Sequence, residues 1–299
     1  MNAIEWMKWK ISAARHHTKR LWREMRRVEA GPFVVAPFRV GDLSMTLASH
    51  TSDAIIGAMV RGDCAPFPDL MSELALLRDL VRPNDQVVDA GANMGTTAVT
   101  MGLAQPSATI YAFEPDPLNF ALLSLNIELN HLRNVHPFPF ALDTEAGMTD
   151  FFRSESNFGD FRTDIPEQSE VGFAVSSCRL PKVNGTEHLR AAFGDRAPAR
   201  LNLLKIDTQG ADLRVLQGFR GLIGPGTTLS IEFSPYHLRR GGTSAADVAT
   251  AFESARTIAK IVPESRSARQ DPVTLAQLVE FFGGNADREG SYWDLVVSW

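Results

Sequence analysis

The feature that most constrains the fold of this 299-residue chain is a regular alternation of short apolar runs with helix-like segments. Strand-like runs at 86–90, 109–114 and 135–142 enclose helical patterns at 95–104 and 117–130. Because consecutive parallel strands need a crossover connection, usually a helix, this order predicts a mostly parallel sheet with helices on both faces. The expected fold class is therefore α/β.

The same alternation returns in the C-terminal third of the chain. LNLLKID and TLSIEF are typical strands around the helical ADLRVLQGF, and YWDLVVSW is apolar enough to be the final strand. Three helices are marked by a side chain that caps the first turn: Asp69 for a helix to about Val81, Asp116 followed by Pro117, and Ser244 with Asp247 for a helix to about Ala255.

Two segments depart from this alternation. Residues 31–68 contain FVVAPFRVGDLSMTLAS, whose loose apolar alternation around a Gly-Asp turn predicts a hairpin followed by a linker. Residues 147–185 favour short strands over a crossover helix, so they are interpreted as a β-rich insertion in a main domain that covers 69–299. Aromatic residues of the insertion are suited to stacking on a sugar ring, but we favour packing on the core: Phe151, Phe152, Phe158 and Phe161.

Residues 1–30 form a separate basic extension. They carry eight Lys or Arg against three Glu, and an apolar stripe at helical spacing runs over 4–28. The stripe suits a helix that packs on its own domain or on a second subunit, and it also suits a helix on an anionic membrane surface. We favour packing on protein, in either form, over the membrane surface.

Composition narrows the class of protein further. With a net charge of -5 overall and +5 in residues 1–30, the body is acidic, which argues against nucleic-acid binding. Cys64 and Cys178 are too few for a disulfide framework or a zinc site, so no metal is expected there. Neither a signal-peptide pattern nor a membrane-spanning run is visible, which predicts a cytoplasmic protein. Association with a membrane surface through residues 4–28 is compatible with that location.

The loop in VVDAGANMGTTAVT joins the first strand of the alternation to its helix. Gly91 and Gly95 permit close backbone approach, and the helix start offers free amides to an anion. A dinucleotide fingerprint is GxGxxG, whereas this loop is GxxxG with Asp89 before it. Because an acid at this position suits an ammonium group, the loop favours S-adenosylmethionine, although a structural glycine turn is the simpler alternative.

The second strand ends in YAFEP, which places Glu114 at the same expected sheet edge. A carboxylate there can accept both ribose hydroxyls of an adenosine through charge-assisted hydrogen bonds. Since NAD would use such an acid too, Glu114 indicates adenosine better than it indicates one cofactor.

VVDAGANMG, YAFEPDPLNFALLSLNIELN, LLKIDTQGADLRVLQG and LSIEFSP occur in an order and spacing that resemble the FkbM family of S-adenosylmethionine-dependent methyltransferases. The resemblance covers roughly residues 70–235. It implies a Rossmann-like class I fold with a seven-stranded sheet, whose last strand is antiparallel, and O-methylation of hydroxyls on sugars, glycans or polyketide-like metabolites. Asp212 stands where family members commonly have Glu, and it still suits helix capping.

The resemblance also implies roles for particular residues. It makes the loop from Asp89 to Gly95 the binder of the methionine moiety and Glu114 the ribose ligand, and it places Asp207 beside the methyl donor, where capping of the following helix is its other interpretation. Asp143 would accept from the adenine amine or serve as an ordinary turn residue. The full set of expected cofactor-binding residues is Asp89, Gly91, Ala92, Asn93, Gly95, Glu114, Pro115, Ala141, Leu142, Asp143 and Asp207.

Methylation of an alcohol needs alignment of the acceptor and benefits from a base whose pKa lies near neutrality. His237 after TLSIEF is one candidate, and Asp207 and Glu232 are competing carboxylates.

Three alternatives to this interpretation stay open. The same three residues could hold Mg²⁺ in a metal-assisted O-methyltransferase. A noncatalytic cofactor-binding or scaffold protein would keep the loop without turnover. An amino methyltransferase acting on nucleic acid is disfavoured, because DTQG follows the fourth strand where an Asn/Asp-Pro-Pro-aromatic motif is expected and SPY follows the wrong strand.

Overall fold

A computed structural model describes residues 33–51, 53, 56–60, 67–154, 175–263 and 268–299. The basic extension, part of the linker and the centre of the insertion, with Phe158 and Phe161, lie outside the described residues.

Strands and helices alternate along most of the described residues. In chain order, the strands are β1 Phe33–Val40, β2 Leu43–His50, β3 Gln86–Ala90, β4 Thr109–Phe113, β5 Val135–Phe138, β6 Ala141–Asp143, β7 Gly147–Ser154, β8 Val175–Asn184, β9 Leu203–Ile206, β10 Thr228–Phe233, β11 Thr257–Pro263, β12 Ala268–Pro272 and β13 Trp293–Ser298. The helices are α1 Ile56–Val60, α2 Pro68–Leu80, α3 Thr96–Ala104, α4 Pro117–Leu129, α5 Gly185–Phe193, α6 Asp212–Gly218, α7 Pro235–Arg240, α8 Ala245–Phe252 and α9 Leu275–Asn285.

The main sheet confirms the α/β expectation. In the part of the chain that the structure describes it has eight strands in the order β12-β11-β13-β10-β9-β3-β4-β5. Strands β3, β4, β5, β9 and β10 run parallel, and β13 is antiparallel to β10, as expected for the final strand. The expected count of seven strands is exceeded by one, because the short β12 pairs antiparallel with β11 and adds an outer edge.

Two cores cover the two faces of this sheet. One face carries Val87 and Leu203 and packs against α2, α3, α4 and the β1–β2 hairpin. The opposite face carries Val88 and Leu204 and packs against α6, α8 and α9. Because side chains alternate along a strand, Asp89, two residues after Val87, points to the first face together with Lys205.

The predicted run 135–142 is wrong as a single strand. It divides into β5, which ends the main sheet, and β6, which joins β8 and β7 in a separate three-stranded sheet. Pro139 lies between them, and a proline has no amide hydrogen to donate to a ladder.

The described part of the insertion confirms the β-rich interpretation, because β7 and β8 pair antiparallel from Gly147↔Lys182 to Ser154↔Val175.

The helix-cap predictions are confirmed in two cases and wrong in one. Asp116 accepts hydrogen bonds from the amides of Leu118 and Asn119, and Ser244 with Asp247 forms a capping box. The helix expected to start at Asp69 begins instead at Pro68 after Phe67, whose side chain makes no capping bond, so Asp69 lies in the first turn.

The predicted hairpin is confirmed as β1 and β2, and two asparagines of α4 fix it to the body. The Ala48 amide donates to Asn126 Oδ1 at 2.6 Å, and Asn126 Nδ2 donates to the Ala48 carbonyl at 3.0 Å. Asn130 makes the same pair of bonds with the backbone of Thr46, at 2.9 and 2.7 Å. Asn126 Nδ2 also lies 2.8 Å from the carbonyl of Met94, so one amide joins the hairpin to the glycine loop.

Candidate functional site

The carboxyl ends of the parallel strands meet at one edge of the sheet, which is where open α/β sheets bind ligands. A cavity of about 670 Å³ opens there, and we call it the large cavity. Its lining consists of Gly91, Asn93, Phe113, Glu114, Pro115, Asn119, Phe140, Ala141, Leu142, Phe151, Asp207, Thr208, Gln209 and Ala211.

The loop after β3 is held by backbone hydrogen bonds to the neighbouring strand. The amides of Gly91 and Ala92 both donate to the Phe113 carbonyl, at 3.1 and 2.9 Å. Ala92 is buried and is not part of the lining, while Asn93 takes a left-handed conformation at φ 51 and lines the cavity. The loop is therefore fixed to β4 before any ligand arrives.

The two glycines of this loop allow close packing within the chain. Gly91 has φ 76, and a Cβ atom there would lie 1.9 Å from the Asp207 carbonyl oxygen. Gly95 has φ 90, and its Cβ would lie 2.5 Å from Leu123 Cδ1. Gly95 is not part of the lining, so of the two only Gly91 borders the large cavity.

Glu114 lies in the lining with its carboxylate held at both oxygens. Oε2 accepts from the Asn93 amide and Oε1 from the Asp116 amide, each at 2.8 Å. Burial raises the pKa of Glu114 to about 8, although these two amides and Lys205 oppose the shift. The group is thus oriented by the backbone of the loops that follow β3 and β4.

Asp89 is fully buried, and its observed partners belong to the chain. Oδ2 accepts from Thr97 Oγ1 at 2.5 Å, and Oδ1 lies 3.5 Å from Lys205 Nζ. Asp89 is not part of the lining of the large cavity, so an ammonium of the chain occupies the position for which an ammonium of the ligand was expected.

Lys205 was missed by the sequence reasoning. Its side chain is 4% exposed, and Nζ donates to the Gly91 carbonyl at 3.2 Å and lies 3.7 Å from Asp207 Oδ2. Burial opposes its charge, but Asp89, Asp207 and Glu73 hold the pKa of Lys205 above its ordinary value. A lysine inside the apolar run LLKI was the available signal, because a buried lysine needs a partner.

Asp207 follows β9 and combines with a glutamine that was also missed. Gln209 Nε2 donates to Asp207 Oδ1 at 2.7 Å and to Glu232 Oε1 at 3.4 Å. Gln209 has φ 52, an unusual value for a residue other than glycine, and such strained positions cluster at functional sites. The structure thus brings Asp207 and Glu232 together through one side-chain amide.

Neither Asp207 nor Asp212 caps the following helix, whose N-cap Ala211 makes no side-chain capping bond, and Asp212 instead holds the loop before the helix. Asp212 Oδ1 accepts from the Thr208 amide at 2.7 Å, and Oδ2 accepts from the Gly210 amide at 2.9 Å. Asp207 is therefore left facing Gln209, Lys205 and the large cavity.

A second cavity of about 350 Å³, which we call the acidic cavity, lies on the α2 side of Glu232. It is lined in part by Asp69, Glu73, Glu232 and Asp294. Burial raises the pKa of Glu73 to about 8 and that of Asp294 to about 6. Burial and the carboxylates of Asp207 and Asp294 hold the pKa of Glu232 well above its ordinary value.

Aromatic residues and β6 also contribute to the lining of the large cavity. Ala141 and Leu142 are in the lining, and so are Phe140 and Phe151. Phe151 is 4% exposed, so the insertion both packs on the body and forms part of this wall. Asp143 is not in the lining, because its carboxylate pairs with Lys182 at 2.9 Å and with Arg214 at 3.6 Å. The turn interpretation of Asp143 therefore fits its contacts better than contact with adenine.

His237 lies apart from both cavities. His237 is the third residue of α7 and follows Tyr236. The ring centroids of these two residues are 5.5 Å apart. Neither lining contains it. Among the residues that the structure describes, no three His, Cys, Asp or Glu side chains are grouped to hold a metal ion, so the trio suggested for Mg²⁺ is not assembled.

Similarity to known proteins agrees with this geometry. Residues 89–258, more than half of the chain, match the Methyltransferase FkbM domain. The chain is 31% identical over 160 residues to Methyltransferase sdnD of Sordaria araneosa, covering 45% of this chain and 60% of that protein. It is 28% identical over 158 residues to 31-O-demethyl-FK506 methyltransferase FkbM of Streptomyces tacrolimicus, covering 46% and 60%. The chain thus spans about 60% of the length of these curated relatives.

Two of the solved structures to which the chain is similar are described as methyltransferases. A putative SAM-dependent methyltransferase from Streptococcus mutans matches with a TM-score of 0.47 and 8% identity, over 90% of this chain and 56% of that one. The T. thermophilus 16S rRNA N2 G1207 methyltransferase in complex with AdoMet and guanosine matches with a TM-score of 0.44 and 13% identity, over 90% and 51%. No helix among the described residues is long and apolar enough to cross a membrane.

Proposed function

The chain belongs to the FkbM family of S-adenosylmethionine-dependent methyltransferases, and from this we propose that it methylates a hydroxyl group on a sugar, glycan or polyketide-like metabolite. The observation that carries the proposal is the large cavity, whose lining contains Glu114, Gly91, Asp207 and Gln209 together. A nucleoside-binding carboxylate and a carboxylate suited to proton transfer thus share one cavity.

The residues of the cavity suit S-adenosylmethionine. Glu114 is fixed by two backbone amides, so it can accept ribose hydroxyls without reorganisation. Phe140 and Phe151 offer an aromatic wall for an adenine, and Gly91 and Asn93 border the part assigned to the methionine moiety. When bound, the cofactor supplies a methyl group on a sulfonium, which passes to the acceptor oxygen while the sulfur keeps the bonding electron pair.

Asp207 and Glu232 are the groups that we assign to proton removal. The hydroxyl proton of the acceptor passes to a carboxylate oxygen of this pair, which leaves a methyl ether and a protonated carboxyl group. Gln209 holds the two carboxylates in a fixed relation through bonds of 2.7 and 3.4 Å. His237 is the weaker candidate, since it borders neither cavity.

Titration calorimetry with S-adenosylhomocysteine, and NAD as the parallel control, tests the cofactor assignment. We expect saturable micromolar binding of the former alone. Transfer of labelled methyl groups to a panel of hydroxylated glycans and metabolites then tests the reaction, with Asp207→Asn and His237→Asn compared side by side. Binding without transfer to any acceptor would support a noncatalytic cofactor-binding protein. A larger loss in His237→Asn than in Asp207→Asn would overturn the carboxylate assignment.

The partners and compartment follow the same reasoning. We propose a small-molecule or glycan substrate, and we retain the cytoplasmic location with residues 4–28 as the segment for homodimer or membrane-surface contact. Removal of residues 1–30 followed by mass measurement and liposome sedimentation tests that segment. Unchanged mass, together with no liposome binding by the intact chain, would eliminate both contacts.

A further inference from the structure

Lys205 is a buried cation that the proposed reaction does not use, and it lies where the cofactor loop and the acidic residues meet. Register pairs it with Asp89 across β3 and β9, and the two side chains share one face of the sheet. Its Nζ is 3.2 Å from the Gly91 carbonyl, 3.5 Å from Asp89 Oδ1 and 3.7 Å from Asp207 Oδ2. One ammonium therefore contacts the loop on one side and the proposed proton acceptor on the other.

We infer that Lys205 is a positioning residue that couples cofactor binding to the proton-accepting carboxylates. The inference rests on the proposed function and deepens it. By bonding the Gly91 carbonyl, Lys205 fixes the strand end that borders the large cavity. By facing Asp207, it fixes the carboxylate that Gln209 holds from the other side.

A counterion for Asp89 alone would not need this arrangement. Asp89 already accepts a short hydrogen bond from Thr97, and both partners are buried. Lys205 reaches beyond Asp89 to two further groups in two other loops. The side chains of Lys205 and Asp89 are 4% and 0% exposed, and that of Asp207 is 33% exposed. In a medium of low dielectric a single charge acts on every neighbour at such distances.

The charged groups around Lys205 come from several elements. Glu73 faces it from α2, Asp89 from β3 and Asp207 from the end of β9. Burial raises the pKa of Glu73, Glu114 and Asp294, and the charge of Lys205 opposes that rise in all three. Loss of the ammonium would therefore make carboxylates at both cavities hold their protons to higher pH.

The test uses the full chain with Lys205→Met, and Lys260→Met as the matched control on β11. We expect Lys205→Met to weaken S-adenosylhomocysteine binding at least tenfold by calorimetry. We also expect it to lower the turnover at saturating cofactor at least tenfold and to move the pH midpoint of that turnover up by about one pH unit. Lys260→Met should change each quantity less than twofold.

The double variant Lys205→Met with Asp89→Asn separates positioning from simple charge compensation, and it replaces the single variant if that one does not fold. It removes the unpaired charge, so thermal stability should recover while the pH midpoint stays displaced. Recovery of the wild-type midpoint would overturn the inference and leave Lys205 as a counterion of Asp89. A binding constant within twofold of wild type in Lys205→Met would overturn it as well.

The two proposals fail in distinguishable ways. If the wild-type chain binds S-adenosylhomocysteine but methylates no hydroxyl acceptor, the proposed function fails, and the binding arm still decides whether Lys205 fixes the loop. If methyl transfer is found and Lys205→Met matches Lys260→Met in binding and pH profile, only the positioning role fails.

Discussion

The two cavities hold their carboxylates in different ways. In the large cavity Glu114 receives a backbone amide at each oxygen, so its position is set by two loops. In the acidic cavity burial raises the pKa of Glu73, Glu232 and Asp294, and the carboxylate of Asp207 at the boundary raises all three further. Burial raises the pKa of Glu114 as well, so the difference lies in the two fixed amides, and from it we infer that the first cavity holds a ligand in one place and propose proton exchange for the second.

The largest expected effect tests the boundary between the cavities. Asp207→Asn keeps the shape of the side chain but removes its capacity to take a proton. Turnover should fall by about 100-fold or more, as for loss of a general base, while the affinity for S-adenosylhomocysteine should change less than about tenfold. Rates are measured at saturating cofactor, with the exposed Asp195→Asn as control. Equal turnover in the two variants would remove Asp207 from the reaction.

Glu114→Ala tests the ligand-holding side of the comparison. Loss of a charge-assisted hydrogen bond is worth more than about 1.4 kcal/mol, so the affinity for S-adenosylhomocysteine should fall at least about tenfold. Calorimetry checks this against Glu128→Ala, whose side chain is on the surface and 3.5 Å from Arg133. A folded Glu114→Ala variant that binds as tightly as the control would refute the ribose assignment.

Phe151→Ala extends the same test to the insertion. Stacking of an aromatic ring is worth about 0.5 to 1.5 kcal/mol, so cofactor affinity should fall by between about twofold and tenfold. Met148 lies on the same strand and is 50% exposed, which makes Met148→Ala the control. If both variants bind like the wild type, Phe151 serves only the core.

Glu73→Gln tests the proton-exchanging side through the free energy of unfolding. The raised pKa of Glu73, about 8 against 4.5, means that the folded chain binds a proton more tightly than the unfolded chain. The contribution of Glu73 to the free energy of unfolding is therefore present at low pH and is lost as pH rises from about 4.5 to 8. Glutamine does not ionise, so the variant should be close to wild type near pH 5. At pH 8 it should exceed wild type by at least roughly 1 kcal/mol, or about 2–4 °C in Tm, and by up to about 4 kcal/mol if the full pKa shift is expressed.

Thermal unfolding at both pH values measures this, with the exposed Glu187→Gln as control. A stability gain that is equal at pH 5 and pH 8 would show that Glu73 does not titrate in this window.

The sequence predicted what depends on local pattern. The alternation, the Asp116 cap and the loop of Gly91 were visible because apolar periodicity and turn chemistry are properties of neighbouring residues. Pro139 was a local signal that the run 135–142 divides into two strands. The prediction of one strand followed instead from the apolar residues on both sides of Pro139. Strands β11 and β12 and helix α9 were not predicted.

Much of the site depends on contacts between distant residues and could not be predicted from local pattern. The partner of Asp89 is Lys205, which is adjacent only because β3 and β9 pair in one register. The pair formed by Asp207 and Glu232 likewise depends on a left-handed Gln209. Sequence reasoning found the carboxylates but assigned Asp89 to the ligand, because the competing ammonium lies more than a hundred residues further along the chain.

The asparagine pair of α4 has a consequence for protein engineering. The family match begins at residue 89, but Asn126 and Asn130 complete their hydrogen bonds with Thr46 and Ala48 of the hairpin. Removing the hairpin would expose the amide groups of both asparagines. Asn126, whose amide also bonds the carbonyl of Met94 in the glycine loop, would lose both of its hydrogen bonds to Ala48. The shortest fragment expected to retain a rigid glycine loop therefore starts at β1. A fragment limited to residues 89–258 would have a less rigid glycine loop.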